Sequence, residues 1–321
     1  MPGGGTRTFL GPEPYEAGLH QSGIECILTC TAELNARLTW VELHHSQLFR
    51  CEEDRPRIGY LSLAPGWTCT SFPDNSGALP RWRGTEFKAG DILFHSRGDR
   101  LHQTTSGPSR WSLITFDPVE LDIYARALFD TPLPAPEEGR VLRPSGRDAA
   151  RLRRLHAQAG RLAETKPKIL SHPEVARAIE QDLTFALATC LTQAKVIEQG
   201  TAHRRHSLVM VGLEEVLARN PGRPLHMAQL CELIGVKERT LQSCCAAFLG
   251  LGPTRYALRR RLKQVRIALR DGDADGTSIG ELAQGYGFTQ LGRFARAYRE
   301  TFGESPSATL QRASKPRVAG Q

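Results

Sequence analysis

The residues best suited to chemistry sit at 278–310, SIGELAQGYGFTQLGRFARAYRETFGESPSATL. Thr289, Gln290, Arg293, Arg296 and Arg299 fall on one side of a periodic run. Its other side carries Phe288, Leu291, Phe294, Ala295, Tyr298 and Phe302. An arginine fork matches guanine O6 and N7, and a glutamine amide matches adenine N6 and N7. A helix with that face could enter a major groove and read base edges. Ile279, Leu282 and Ala283 recur at i, i+3, i+4 and predict a helix just before it, with Ser278 as its N-cap. Gly285 and Gly287 break that helix, and Gly303 followed by Pro306 ends the second. The product is helix, glycine turn, helix. The same periodicity taken alone also fits a helical hairpin with a solvated basic face.

A similar pattern lies upstream. Leu225–Ile234 predicts a short helix with Met227, Leu230, Leu233 and Ile234 inward; Gly235 turns the chain. Val236–Phe248 predicts a second helix with Val236, Leu241, Cys244 or Cys245, and Phe248 inward. Then comes GLGPTRYALRRRLKQVRIAL at 250–269, a long basic helix. The string GYGF, GRF, Y, FGESP resembles the GF…F…F…FG-x-SP signature of the AraC/XylS family of bacterial transcription activators. The 250–269 segment resembles that family's linking helix, and the likeness spans residues 207–312. It implies two helix-turn-helix units, held by the long helix on one face and entering major-groove segments about one turn, ~34 Å, apart. Matched to the family, Arg239, Gln242 and Ser243 take the groove-facing positions of the first unit, and Thr289, Gln290, Arg293 and Arg296 those of the second. Ser243 stands where an arginine is commoner, Cys245 where a phenylalanine is, and Gly292–Arg293 replace the usual polar pair. The first reader is therefore expected to contribute less base-specific energy. Arg259, Arg260, Arg261, Lys263 and Arg266 are expected on phosphates or folded internally.

Charge supports a nucleic-acid partner. The chain has 321 residues and a net charge of +8. Residues 204–321 hold 19 Lys+Arg against 10 Asp+Glu, and residues 1–203 hold 23 against 24. The whole excess lies in the C-terminal third, as in a DNA-binding domain joined to a neutral one. No apolar run is long enough to span a membrane. MPGGGTRTFLGPEP lacks a leader pattern and reads as a flexible lead-in. A cytoplasmic location is expected, with the eight cysteines as free thiols.

Residues 20–130 read as strands: ECILTC, LTWVELHHSQLF, IGYLSLA and DILFHS, divided by turn signals at Pro65-Gly66, Asp74-Asn75-Ser76-Gly77, Ala89-Gly90-Asp91 and Gly98-Asp99. Strands at this spacing suggest a small antiparallel barrel or sandwich. Two helices are predicted between 146 and 195. One contains Leu152, Leu155 and Leu162; the other has Pro173 in its first turn and a Val175, Ile179, Leu183, Leu187 stripe. They could pack on the barrel, on each other or on a second subunit.

Catalysis finds no constellation: no nucleophile elbow, no phosphate-binding loop and no dinucleotide fingerprint. His44 and His45 are adjacent, and on a strand would point to opposite faces; His95 and His102 are seven apart. No metal and no cofactor are expected. The default binding pocket would be lined by Trp40, Trp67, Trp82, Trp111 and His102.

The expectation is therefore an α+β protein: an N-terminal antiparallel β-barrel, cupin-like by the family resemblance, plus helices, and a C-terminal all-α domain with two helix-turn-helix units. The boundaries are a disordered lead-in at 1–19, a sensing or dimerisation domain at 20–195 (barrel to about 130, helices from about 146), a linker at 196–206, the DNA-binding domain at 207–312 and a flexible tail at 313–321. The function expected is that of a ligand-responsive transcription activator, not an enzyme. Its partners would be promoter DNA, RNA polymerase and a small effector, with a homodimer possible and no membrane. The alternative is a regulator whose N-terminal domain only dimerises or binds a protein.

Overall fold

The computed structural model describes residues 2–19, 22–74, 77–272, 276 and 278–313; residues 75 and 76 of one expected turn and the expected tail from 314 onward lie outside them. The chain divides into two units, one of Met1–Cys26 with Leu34–Gly200 and one of Ile27–Glu33 with Thr201–Gln321. Among the described residues, no helix is long and apolar enough to cross a membrane.

In chain order the first part of the molecule forms β1 (Gly3–Leu10), α1 (Pro12–Gly18), β2 (Ser22–Leu28), β3 (Asn35–Glu42), β4 (Ser46–Glu53), β5 (Arg57–Leu63), β6 (Thr68–Pro73), β7 (Arg81–Trp82), β8 (Thr85–Glu86), β9 (Ile92–Phe94), β10 (Arg100–Thr105), β11 (Ser109–Phe116) and α2 (Pro118–Phe129). Then come β12 (Arg140–Arg143), α3 (Gly146–Thr165), α4 (Pro167–Leu170), α5 (Pro173–Gln193) and β13 (Lys195–Ile197). They build two sheets, one in the order β1-β3-β4-β11-β6-β9-β12-β13 and one in the order β2-β5-β10-β7-β8.

These sheets are open, which corrects the expected barrel. The larger ends on β1 and β13, the smaller on β2 and β8, and neither closes on itself. Strands β7 and β8 are two residues each, joined through Arg83 and Gly84, both at positive φ. Strands that short cannot carry pairing round to another sheet's edge. The larger sheet also gives one face to helices: Val41, Leu48, Phe72, Ile114 and Phe116 pack with Leu152, Ala159 and Ala163 of α3 and Leu183, Leu187 and Cys190 of α5. The two predicted helices are thus packed within the unit.

Two segments expected to be irregular are ordered. Residues 3–10, read as a flexible lead-in, pair along their whole length with β3. Glycine is required there for close approach. A Cβ on Gly4 would lie 2.7 Å from the Trp40 carbonyl oxygen, and one on Gly5 would lie 2.8 Å from the Trp40 ring. At the start of the expected linker, Val196 and Ile197 continue from Lys195 as an edge strand paired with β12.

A buried ion pair ties the sheets together. Glu53 of β4 accepts from Arg57 Nε at 2.8 Å and Nη2 at 2.7 Å, and both side chains are fully buried. Glu53 also accepts from Tyr15 Oη at 2.8 Å, Trp111 Nε1 at 3.0 Å and Ser109 Oγ at 3.3 Å. Burial alone would lower the Arg57 pKa; the Glu53 charge outweighs it and raises the value, so the guanidinium stays charged. Removing one partner should be far worse than removing both. Glu53→Ala is expected to lower unfolding free energy by about 3–5 kcal/mol, because Arg57 is left buried and uncompensated. The Glu53→Met/Arg57→Met pair should lose much less. Urea titrations followed by tryptophan fluorescence measure both, and equal losses would remove the unpaired-charge explanation.

Candidate nucleic-acid interface

From Thr201 onward the second unit is helical: α6 (Thr201–Arg219), α7 (Met227–Ile234), α8 (Glu238–Leu249), α9 (Pro253–Asp271), α10 (Ile279–Gly285), α11 (Leu291–Phe302) and α12 (Pro306–Ala313). In the first pair, Gln229 Oε1 accepts from the His226 backbone N–H at 3.0 Å and satisfies one open donor at the start of α7. Gly235, left-handed at φ 76°, closes α7 through a 2.9 Å bond from its N–H to the Cys231 carbonyl. Leu241, Cys244, Cys245 and Phe248 then bury one side of α8. Arg239, Gln242 and Ser243 occupy its exposed side.

The second pair is built the same way. Ser278 Oγ accepts from Glu281 N at 3.3 Å and caps α10. Gly287 takes φ 77°, and Gly303 at φ 73° ends α11. Phe294 and Tyr298 point into the core, while Thr289, Gln290, Arg293 and Arg296 are exposed. The helix begins at Leu291 rather than at Phe288, so Thr289 and Gln290 stand just before its first turn. Leu291, expected in the apolar seam, is 42% exposed at that first turn.

α9 carries both pairs. Leu262, Val265 and Leu269 share a core with Ala283, Phe288, Phe294, Tyr298 and Leu310. Towards its start, Tyr256 Oη donates to Glu214 Oε1 of α6 at 2.6 Å, and Arg260 pairs with the other carboxylate oxygen. Arg261 lies 4.7 Å over the Phe288 ring, and Arg266 lies 4.7 Å over Phe302 and donates to Glu304 at 3.2 Å. Of the seven cations of this helix, Arg260, Arg261 and Arg266 are thus folded internally, as are Arg259, which donates to the Leu28 carbonyl, and the buried Lys263. Burial pushes the Tyr298 hydroxyl up to about 12, partly offset by its hydrogen bond with Thr309, and pushes the Cys245 thiol to about 12. That thiol is core filling and not a nucleophile.

The residues expected to line a pocket in the first unit are dispersed. Trp82 and Trp111 are buried; Trp40 and Trp67 are half-buried, and Trp40 lies against Gly5. His102 is buried against Tyr60, ring centroids 5.0 Å apart. His44 and His45 occupy the β3–β4 hairpin turn instead of a strand. His95 bonds Ser71 Oγ at 2.7 Å and Asp99 at 3.1 Å. Burial would raise the Asp99 pKa, but His95 and Arg83 outweigh it and hold the carboxyl at about 2. Among the described residues no group of three His, Cys, Asp or Glu could hold a metal ion.

Trp82 and Trp111 are linked by two residues that sequence reasoning passed over. Gln103 pairs in register with Trp82 and accepts from Arg57 Nη2 at 2.6 Å, and Arg57 lies 5.8 Å from the Trp111 ring. Arg57 Nη1, Gln103 Nε2 and Trp82 Nε1 are buried donors without a hydrogen-bond partner. In the sequence, Arg57 sits in EEDRPR, which looks like a solvated turn; nothing local signals its burial.

Two helix-turn-helix pairs, each offering a polar-basic outer face on its second helix, define a DNA-binding transcription regulator. Residues 230–312 match the family model described as a helix-turn-helix domain. The chain is 29% identical over 289 residues to a XylDLEGF operon transcriptional activator of Pseudomonas putida, covering 85% of each protein. It is 40% identical over 103 residues to XylDLEGF operon transcriptional activator 1 of the same species, covering 32% of this chain and 31% of that one. The solved structure of a probable AraC family transcriptional regulator from Rhodopseudomonas palustris is 38% identical, with 33% of this chain and 96% of that one covered and a TM-score of 0.30. The chain belongs to the AraC/XylS family of transcription regulators.

The inward and outward faces of α11 should separate cleanly in stability measurements. Phe294→Ala is expected to cost about 3–5 kcal/mol by emptying the core of the second pair. Arg293→Ala, one residue away, should stay within about 0.5 kcal/mol. Denaturation of both variants checks this; a large loss for Arg293→Ala would place that side chain in the fold and not on the outer face.

Proposed function

We propose that this chain activates transcription by reading two short DNA boxes, one with α8 and one with α11, under the control of a small effector bound in the first unit. The carrying observation is that Arg239, Gln242, Ser243, Thr289, Gln290, Arg293 and Arg296 are all exposed while the inward residues of the same helices are buried. Arginine and glutamine at those positions suit bidentate contacts to guanine and adenine. The word activator in the names of the Pseudomonas relatives supports that direction of regulation, with RNA polymerase as the protein partner. The three unpartnered donors on Arg57, Gln103 and Trp82 favour an effector rich in hydrogen-bond acceptors. Such an effector acts only through a difference in affinity between DNA-competent and incompetent states.

Selection of the full chain against random duplexes at two salt concentrations tests the reader. One asymmetric site with two boxes about a turn apart is expected. Arg293→Ala should weaken binding to that site by about 1–3 kcal/mol and leave non-specific binding nearly unchanged. Binding that collapses with salt and enriches no sequence would overturn the assignment.

A further inference from the structure

The turn between α6 and α7 rests on the turn of the second helix-turn-helix pair, backbone on backbone. A Cβ on Gly222 would lie 2.5 Å from the carbonyl oxygen of Gly285. A Cβ on Gly287 would lie 2.5 Å from the carbonyl oxygen of Gly222 and 2.5 Å from Pro224 Cδ. The contact is reciprocal: each turn presents a hydrogen where any other residue has a carbon, and each aims it at the other turn's carbonyl. That is the geometry of paired C–H···O contacts, for which carbon and oxygen need about 3.3 Å or more. A methyl group at either glycine would force the turns apart by roughly 1 Å.

Only glycine fits this contact, and the two glycines need it for different reasons. Gly287 also sits at φ 77°, where a side chain strains the backbone regardless of space. Gly222 is not in the left-handed region, so its requirement is the contact alone. Gly285 supplies the touched carbonyl, yet its own Cβ would meet nothing within 4 Å. The contact therefore lies between segments leading directly into the two readers. From Gly222 the chain runs through Pro224 into α7 and α8; from Gly287 it runs through Thr289 and Gln290 into α11.

We infer that Gly222 and Gly287 form a buttress that sets the separation and rotation of the two recognition helices, and hence the spacing of the DNA boxes that the protein accepts. The inference rests on the two-box function proposed for α8 and α11 and adds a positioning role to residues that touch no base. α9 joins the two pairs at one place. A single helix lets one pair roll about its axis; a second, rigid point of contact removes that freedom. Recognition geometry has to hold within about 0.5 Å, which is less than the displacement a methyl would impose.

The test is the same duplex selection, run on the full chain as wild type, Gly222→Ala and Gly285→Ala, and then binding to the wild-type site with one base pair inserted or deleted between the boxes. For Gly222→Ala we expect the same two boxes with a broadened or shifted spacing, and at least about a tenfold loss on the wild-type spacing, given that tolerance. Gly285→Ala, in the same turn but facing open space, should keep the wild-type spacing and affinity. A general folding defect would weaken every spacing in proportion and enrich the same spacer; that result, or no change in Gly222→Ala, overturns the buttress. Failure of the wild type to enrich two boxes instead overturns the reading it rests on.

Discussion

The buried carboxylate of Glu214 is the constraint on which the DNA-reading unit depends. Two groups of α9, the Tyr256 hydroxyl and the Arg260 guanidinium, converge on its two oxygens. A carboxylate that is 2% exposed must be matched in this way, because an unpaired one would be driven out or neutralised. The pairing fixes the rotation of α9 about its own axis relative to α6. Once that rotation is set, Leu262, Val265 and Leu269 can face only the second pair. A polar clamp at one end of the helix and an apolar seam at the other thus give the helix a single register. The apolar seam alone, being non-directional, would tolerate sliding.

The two units were not equally legible. In the second helix-turn-helix pair, every signal is local. Ser278 caps α10, Gly287 and Gly303 take the left-handed φ their positions demand, and Phe294 and Tyr298 fall inward at helical spacing. Leu291 misled because periodicity says which residues share a face and not where the helix begins. At the N-terminus the error ran the other way. Gly3-Gly4-Gly5 looked floppy because glycine is common in loops; here small size is what matters, since Trp40 occupies the space that side chains on Gly4 and Gly5 would need.

Strand partners were the least readable feature. β11 lies between β4 and β6, and β9 between β6 and β12, so neighbours in the sheet are far apart in sequence. A strand's composition reports that it is half buried but not what lies beside it. The same holds for the Glu53–Arg57 pair. Five donors on Tyr15, Arg57, Ser109 and Trp111 come from separate places in the chain, and only their convergence makes burial of a charge tolerable. Tyr15 belongs to α1, Arg57 opens β5, and Ser109 and Trp111 lie on β11, so none of them read singly points to a shared carboxylate.

On the outer faces, the two readers share a way of holding a long side chain before DNA arrives. Gln242 donates to Glu238 at 2.9 Å, and Arg296 donates to Glu300 at 2.9 Å, both one turn apart on exposed helix. An exposed pair of this kind is worth about 0.3–0.5 kcal/mol, whereas a bidentate contact to a base is worth about 1–3 kcal/mol. The glutamates therefore orient these side chains without competing seriously with a base. They also place negative charge beside a surface that must approach phosphates, so each is a small obstacle to non-specific binding. Arg239 and Arg293 have no such partner among the described residues. Each reader thus combines one unrestrained cation with one side chain held by an acid. This arrangement weakens indiscriminate electrostatic attachment more than it weakens binding to a matching sequence.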